Sequence, residues 1–361
     1  MNNNFNAYIH TSDFFPLFLT GETLNILRTF PDNSVDCCLT SPPYWNKRQY
    51  GSAFEIGLEA DYTNYIEKLV AIFMEIHRIL KPTGSFWLNI GDTYYRKSLL
   101  NIPWRISIAL TDRGWILRNT VIWNKIKGGM DNTADRLRNN YEPLFHFVKQ
   151  EQGYYYDIDS VRNNPKNTKV VNGAIVSATG VTGVRYKRQI ELSTALTNEQ
   201  KENAFKALDD MIAQMQEGKI SDFRMIIKGN QRTTHSDSEK VSGRAKELHE
   251  KGFYFLKYNP KGSKPSDVWD ILPEDTQGRI SHFAAYPEDL CKMPIILTCP
   301  SNGIVLDPFS GTGTTCLVAM KHGRKSIGID IQEEYNQIAK KRCEEENPSQ
   351  YLFSFQEAVN E

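Results

Sequence analysis

Residues 303–344 constrain the fold more than any other part of this chain. An apolar run at 303–306 leads into Asp307-Pro308-Phe309-Ser310-Gly311-Thr312-Gly313-Thr314-Thr315, and a helical pattern follows at 314–322. A second apolar run at 326–329 ends in Asp330, with another helical pattern over 333–344. Strands joined through short helices are the repeating unit of a parallel sheet. Gly311 and Gly313 let the backbone turn sharply at the strand end and approach a ligand closely. The first N–H groups of the next helix lack intrahelical partners, and ligands of open α/β sheets bind at the carboxyl ends of such strands. No Lys follows the second glycine, which excludes a P-loop. Two glycines in a tight turn are common on their own. An acid at the next strand end, about 20 residues on, adds specificity because it can accept both ribose hydroxyls of a nucleoside.

The same alternation marks the start of the chain. Residues 35–40 read as a short buried strand entered through the turn Pro31-Asp32-Asn33-Ser34. Tyr65, Ile66, Leu69, Val70, Phe73, Ile76 and Leu80 recur at steps of three and four, predicting a helix over 63–80. Lys81-Pro82-Thr83-Gly84 is expected to stop it, with strands following at 84–89, 119–123 and 144–148. The expected fold is α/β: a doubly wound, mostly parallel sheet covered by helices on both faces.

After Gly153 the periodicity changes. Residues 163–190, rich in Asn, Thr, Val and Gly and ending in Arg185-Tyr186-Lys187-Arg188, read as a mobile or extended loop. Thr197-x-x-Gln200 is a capping-box pattern opening a helix to about residue 216, and 242–250 reads as a shorter helix closed by Gly252. Domain boundaries are expected near 150 and 266, giving 1–150, an insert at 151–265, and 266–361.

The 361 residues carry 43 Lys and Arg against 43 Asp and Glu. That neutrality hides a regional imbalance, since residues 154–266 hold 19 basic and 13 acidic side chains. A basic middle between acidic flanks suits a protein that meets phosphates with one part only, and equally an ordinary solvated surface. Six scattered cysteines form no C-x-x-C pair and no zinc spacing, so no metal is expected. Cys37 and Cys38 read as small buried hydrophobes. No apolar stretch reaches membrane-spanning length and the first residues show no signal pattern, so a cytoplasmic location is expected.

The other informative motif is Thr40-Ser41-Pro42-Pro43-Tyr44-Trp45. The amino nitrogen of a nucleobase is a poor nucleophile because its lone pair is delocalised into the ring. Accepting hydrogen bonds from its two N–H groups turns that lone pair toward an electrophile, an effect of positioning. Ser41 supplies one acceptor and the Pro42 carbonyl a second, and both residues precede a proline and are held out of the helical region. Tyr44 offers a ring face to a base rotated out of a duplex. A proline-rich turn followed by core aromatics is the plain structural reading of the same residues.

The two motifs in this order resemble the β group of S-adenosylmethionine-dependent DNA amino-methyltransferases, over roughly 14–150 and 265–345. The resemblance implies a Rossmann-like fold with permuted motif order, a target-recognition insert and S-adenosyl-L-methionine as cofactor. It places Ser41, Pro42, Pro43 and Tyr44 at the reacting base, and Asp307, Phe309, Gly311, Gly313 and Thr314 around the methionine side. Phe309 packs on either the adenine or the catalytic turn. Asp330 falls to the ribose. Ser281-His282-Phe283 with Tyr286-Pro287 matches the family segment lining the methionine tail, and Glu22 stands where relatives have an Asp contacting the cofactor. Arg118–Lys125 and Asn140-Tyr141-Glu142 resemble segments near the target pocket. Arg185, Lys187 and Arg188 are the expected DNA contacts.

Ser-Pro-Pro-Tyr resembles enzymes acting on cytosine N4, with adenine N6 as runner-up. The expected activity is therefore sequence-specific methylation of double-stranded DNA within a restriction-modification system, alongside a separate cognate endonuclease. A non-catalytic DNA-binding protein on this scaffold is the rival of another class. Methylation of a protein glutamine or of RNA fits less well, because those relatives carry the cofactor motif first.

Overall fold

The computed structural model describes residues 2–47, 56–127, 132–163, 169–171, 174–176, 183–229, 243–274 and 286–346. The chain divides into two compact units, Met1–Ser160 with Ser266–Glu361, and Val161–Pro265.

In the first unit an eight-stranded sheet runs in the order Leu17–Thr20, Lys325–Asp330, Ile304–Asp307, Val35–Thr40, Leu80–Asn89, Tyr141–Val148, Ile116–Asn124, Val268–Asp270. The first five strands are mutually parallel. Tyr141–Val148 runs antiparallel to both of its neighbours, and the edge strand Val268–Asp270 is parallel to Ile116–Asn124. The mostly parallel, helix-covered sheet is the expected fold class. All six residues of Val35–Thr40 are buried, as befits a central strand covered on both faces. Cys38 joins the core under helix Tyr62–Ile79, whereas Cys37 and Leu39 join the opposite core with Leu290, Ile295 and Val318.

Helix Tyr62–Ile79 starts where Asp61 caps it, accepting from the Thr63 and Asn64 amides at 2.6 and 3.4 Å. Its end differs from expectation. Leu80 is already extended and pairs with Val35, so Lys81-Pro82-Thr83-Gly84 lies inside the next strand. A register irregularity between Val35 and Cys37 absorbs that segment, where Pro82 has no N–H for the ladder.

The parallel strands put their carboxyl ends along one edge of the sheet. Thr20, Thr40, Asn89, Asp307 and Asp330 are the last residues of their strands, so every strand of the parallel half delivers a polar side chain to the same rim.

The second unit is built on helices Gly183–Glu191 and Asn198–Gln216, the antiparallel pair Asp222–Ile227 and Phe253–Tyr258, and helix Arg244–Lys251. The capping box forms as read: Thr197 accepts from the Gln200 amide at 3.2 Å, and Gln200 accepts from the Thr197 amide at 3.0 Å. The expected loop at 163–190 is corrected in two places. Lys169–Val171 pairs with Ala174–Val176, and Arg185-Tyr186-Lys187-Arg188 lies in a helix. Tyr186 and Ile190, four residues apart, provide that helix with a buried stripe beside Leu208, Met225 and Phe253. No helix among the described residues is long and apolar enough to cross a membrane.

Candidate functional site

Asp307 stands at the centre of the rim and is 1% exposed. Its Oδ1 accepts from the Thr40 hydroxyl at 2.6 Å and the Phe309 amide at 3.1 Å. Its Oδ2 accepts from the Thr315 hydroxyl at 2.6 Å and the Tyr286 hydroxyl at 2.9 Å. Burial pushes its pKa above the usual carboxylate range, while the hydrogen bonds from Thr315 and Thr40 oppose the rise. Sequence placed Asp307 against a cofactor. The structure gives it a different occupation, because four protein donors already surround its two oxygens. It braces the glycine loop against the residue that precedes Ser41.

The loop closes on itself and on the next strand. Gly313 donates to the Ser310 carbonyl at 2.8 Å, and Ser310 to the Ile329 carbonyl at 2.9 Å. Gly313 adopts φ +77°, and a Cβ there would sit 2.7 Å from the Ala339 methyl, so only glycine fits. Helix Thr314–Lys321 then starts without a side-chain cap. Thr314 is buried, its hydroxyl accepting from Arg342 at 3.2 Å. Phe309 is half-buried against the core. Asp330 accepts from the Gly311 amide at 3.0 Å and the Gln332 amide at 2.9 Å. Burial raises its pKa to about 6.

On the catalytic turn, Ser41 and Tyr44 are half-buried and Pro42 is buried. The Pro43 carbonyl accepts from the Tyr65 hydroxyl at 2.8 Å. Among the described residues, no hydrogen bond ends on the Pro42 carbonyl. The Tyr44 hydroxyl lies 3.3 Å from Ser41 Oγ and donates to Glu142 Oε2 at 2.8 Å, with Asn89 Oδ1 at 3.3 Å. Lys125 Nζ reaches the other Glu142 oxygen at 2.5 Å. A Cβ on Gly91 would stand 2.5 Å from Tyr44 Cε2, so glycine lets the ring seat here.

The geometry brings two motifs, remote in sequence, to the ends of adjacent parallel strands. The DNA methylase family model, covering N6 and N4 enzymes, matches residues 35–341. The chain belongs to this family. This methylase is 28% identical to the type II methyltransferase M.SfiI of Streptomyces fimbriatus, with 90% of each chain covered. It is also 28% identical to type II M.Cfr9I of Citrobacter freundii, over 91% of this chain and 87% of the relative. Among solved structures, the PvuII DNA methyltransferase (cytosine-N4-specific) superposes with a TM-score of 0.52 at 16% identity, covering 91% of this chain and 90% of the other. A DNA modification methylase of Thermus thermophilus gives 0.51 at 20% identity, covering 92% and 96%. The protein is thus a site-specific, type II DNA amino-methyltransferase, of a family dependent on S-adenosyl-L-methionine.

The methylase's own residues fit such a cofactor. The Asp330 carboxylate lies beside a glycine turn, an uncapped helix start follows, and the Ser310 hydroxyl is buried with no partner among the described residues. Other expected contacts fare differently. Glu22 caps helix Thr23–Leu27, accepting from the Leu24 and Asn25 amides at 3.1 and 2.7 Å, which engages the carboxylate expected at the cofactor. His282 and Phe283 lie outside the described residues. Tyr286 is placed, and its hydroxyl serves Asp307 and Thr315. Arg185, Lys187 and Arg188 are exposed, with Lys187 paired to Asp209 at 2.8 Å. All six cysteines are free and buried. Burial pushes the Cys37 thiol up to about 12 and Cys38 well above its ordinary value, which is hostile to a thiolate nucleophile. No metal-binding cluster occurs among the described residues.

Sequence reading missed Thr40 and Thr315, and it placed Glu142 near the target pocket without a role. The signal for Thr40 was its position, directly before Ser41 at a strand end. Nothing local identifies its partner.

Asp330 yields a pH test. Between 3.8 and about 6 the folded apoprotein retains a proton that the unfolded chain has released. Stability of the apoprotein therefore falls as pH rises through that window, and Asp330→Asn removes this part of the slope. Urea titrations across the window, wild type against variant, check the expectation; parallel slopes would show that Asp330 titrates normally.

Proposed function

We propose that the protein methylates the exocyclic N4 of cytosine in double-stranded DNA. The observation that carries this reading is the Thr40–Asp307 bond, which joins Ser41-Pro42-Pro43-Tyr44 to the glycine loop. An acceptor pair for a base amino group thereby stands next to a loop suited to a nucleoside cofactor. The cofactor, when bound, supplies an electrophilic methyl sulfonium. Asp330 holds its ribose, and the 307–314 loop with Phe309, Gly311, Gly313 and Thr314 holds the rest, joined by His282 and Phe283. Asp307 acts from behind the loop.

Ser41 Oγ and the Pro42 carbonyl accept the two amino protons of the flipped base, and the Tyr44 ring supports it. These bonds grow stronger as the nitrogen becomes tetrahedral, so they act on the transition state more than on binding. A serine at the head of the motif, in place of the Asp of most adenine enzymes, favours cytosine. Residues 151–265 choose the DNA sequence, and a cognate endonuclease acting separately completes a restriction-modification pair in the cytoplasm.

Mass spectrometry of nucleosides from DNA methylated by the purified protein tests the base. N4-methylcytosine is expected; N6-methyladenine would overturn the base assignment and keep the acceptor pair, and C5-methylcytosine would overturn both. Ser41→Ala should slow turnover by at least about a hundredfold with cofactor affinity nearly unchanged.

The insert has its own test. Helix Gly183–Glu191 presents Arg185 and Arg188 on an exposed face, in a unit with 19 basic and 11 acidic residues over 161–265. Reversing both charges should weaken duplex binding and flatten its dependence on log salt by about one to two units of slope. An unchanged slope would leave them as ordinary solvated surface.

A further inference from the structure

We propose that Glu142 is a positioning residue that fixes the hydrogen-bond polarity of Ser41, acting through Tyr44. This rests on the reading of Ser41 as an acceptor for the base amino group. A serine hydroxyl both donates and accepts. If its proton pointed toward the base, it would oppose an amino N–H instead of receiving it. Something must therefore take the Ser41 proton away from the base, and the neighbours of Ser41 supply a defined chain for doing so.

The chain begins at Lys125, whose ammonium sits 2.5 Å from Glu142 Oε1. The pair is shielded, with the Glu142 side chain 13% and that of Lys125 26% exposed. A carboxylate only accepts, so the 2.8 Å contact between Glu142 Oε2 and the Tyr44 hydroxyl has one direction: Tyr44 donates. Asn89 reinforces it. Its amide nitrogen faces the Pro143 carbonyl at 3.4 Å, which turns Oδ1 toward Tyr44 at 3.3 Å as a second acceptor. The phenol has one proton, and two acceptors already draw on it. Its oxygen must therefore receive in the 3.3 Å contact with Ser41 Oγ. Ser41 donates inward, and its lone pairs are left for the base.

This arrangement explains details that a bare stacking role leaves unexplained. Stacking asks only for a ring face, yet this tyrosine is anchored by its hydroxyl. Glu142 and Lys125 come from the neighbouring antiparallel strands Tyr141–Val148 and Ile116–Asn124, paired through Asn124 and Tyr141. Gly91 admits the ring to its seat. Burial also raises the Tyr44 pKa well above the ordinary phenol value, with the Glu142 charge adding to the rise, so the phenol keeps its proton.

The test is a double-mutant cycle read as single-turnover methyl transfer at saturating cofactor and DNA. Glu142→Gln keeps an acceptor for Lys125 but turns an amide donor toward Tyr44. Tyr44→Phe keeps the ring and removes the relay. Each should slow transfer by about tenfold or more with the dissociation constants for cofactor and duplex within about twofold of wild type. The double variant should be no slower than the worse single one, because both remove the same constraint. Wild-type transfer by Glu142→Gln, or losses that multiply in the double variant, would overturn the proposal. So would a loss confined to binding. Ser41→Ala separates the two levels: full activity there defeats the acceptor reading itself, whereas an inactive Ser41→Ala beside a fully active Glu142→Gln defeats only the role of Glu142.

Discussion

The buried carboxylate of Asp307 is the interaction on which the rest of the site depends. It joins segments 267 residues apart in sequence through one 2.6 Å bond to Thr40. Two more hydroxyls and a backbone amide complete its shell. An ionised group without such partners would cost several kcal/mol to bury. With them, the cost becomes geometry: the end of the Val35–Thr40 strand, the start of helix Thr314–Lys321 and the residue before helix Glu288–Thr298 are all held against one point. Chemistry that needs a base nitrogen and a methyl donor in line depends on such fixed distances.

Around this point the sheet divides its work. The parallel strands present their polar ends on a single rim, as open α/β sheets do at their ligand sites. The antiparallel strands Tyr141–Val148 and Ile116–Asn124 extend the sheet beyond Leu80–Asn89 and deliver Glu142 and Lys125 from the other side of Tyr44. The catalytic turn therefore lies between two anchored acids. Asp307 fixes the backbone just before Ser41, and Glu142 fixes the hydroxyl of Tyr44 just after the prolines.

Much of this was legible in the sequence. The apolar period of Tyr65, Leu69, Phe73 and Ile76 gave a helix, and the run ending at Asp307 gave a strand, because both signals are local and repeat. The capping box at Thr197 was legible for the same reason. What failed was non-local or ambiguous. Glu22 looked like a ligand contact, but the same carboxylate before Thr23 is also a helix cap. The Arg185–Arg188 stretch read as loop because its flanks are rich in Gly and Thr; Tyr186 and Ile190 make it helical only once Phe223 and Met225 are there to pack against. The three-residue edge strand Val268–Asp270 is too short to show a period. Thr40, Thr315 and Glu142 are ordinary residues until folding supplies their partners.

The central claim is that the catalytic turn is held in register with the cofactor loop through Asp307. Thr40→Val tests it most directly, since valine preserves shape and removes only the hydroxyl that joins the two segments. Single-turnover transfer with cofactor and DNA both saturating should fall at least about tenfold, the scale of a lost hydrogen bond to a charged group, while the variant remains folded and binds cofactor. A folded Thr40→Val enzyme that transfers methyl groups at the wild-type rate would contradict the account.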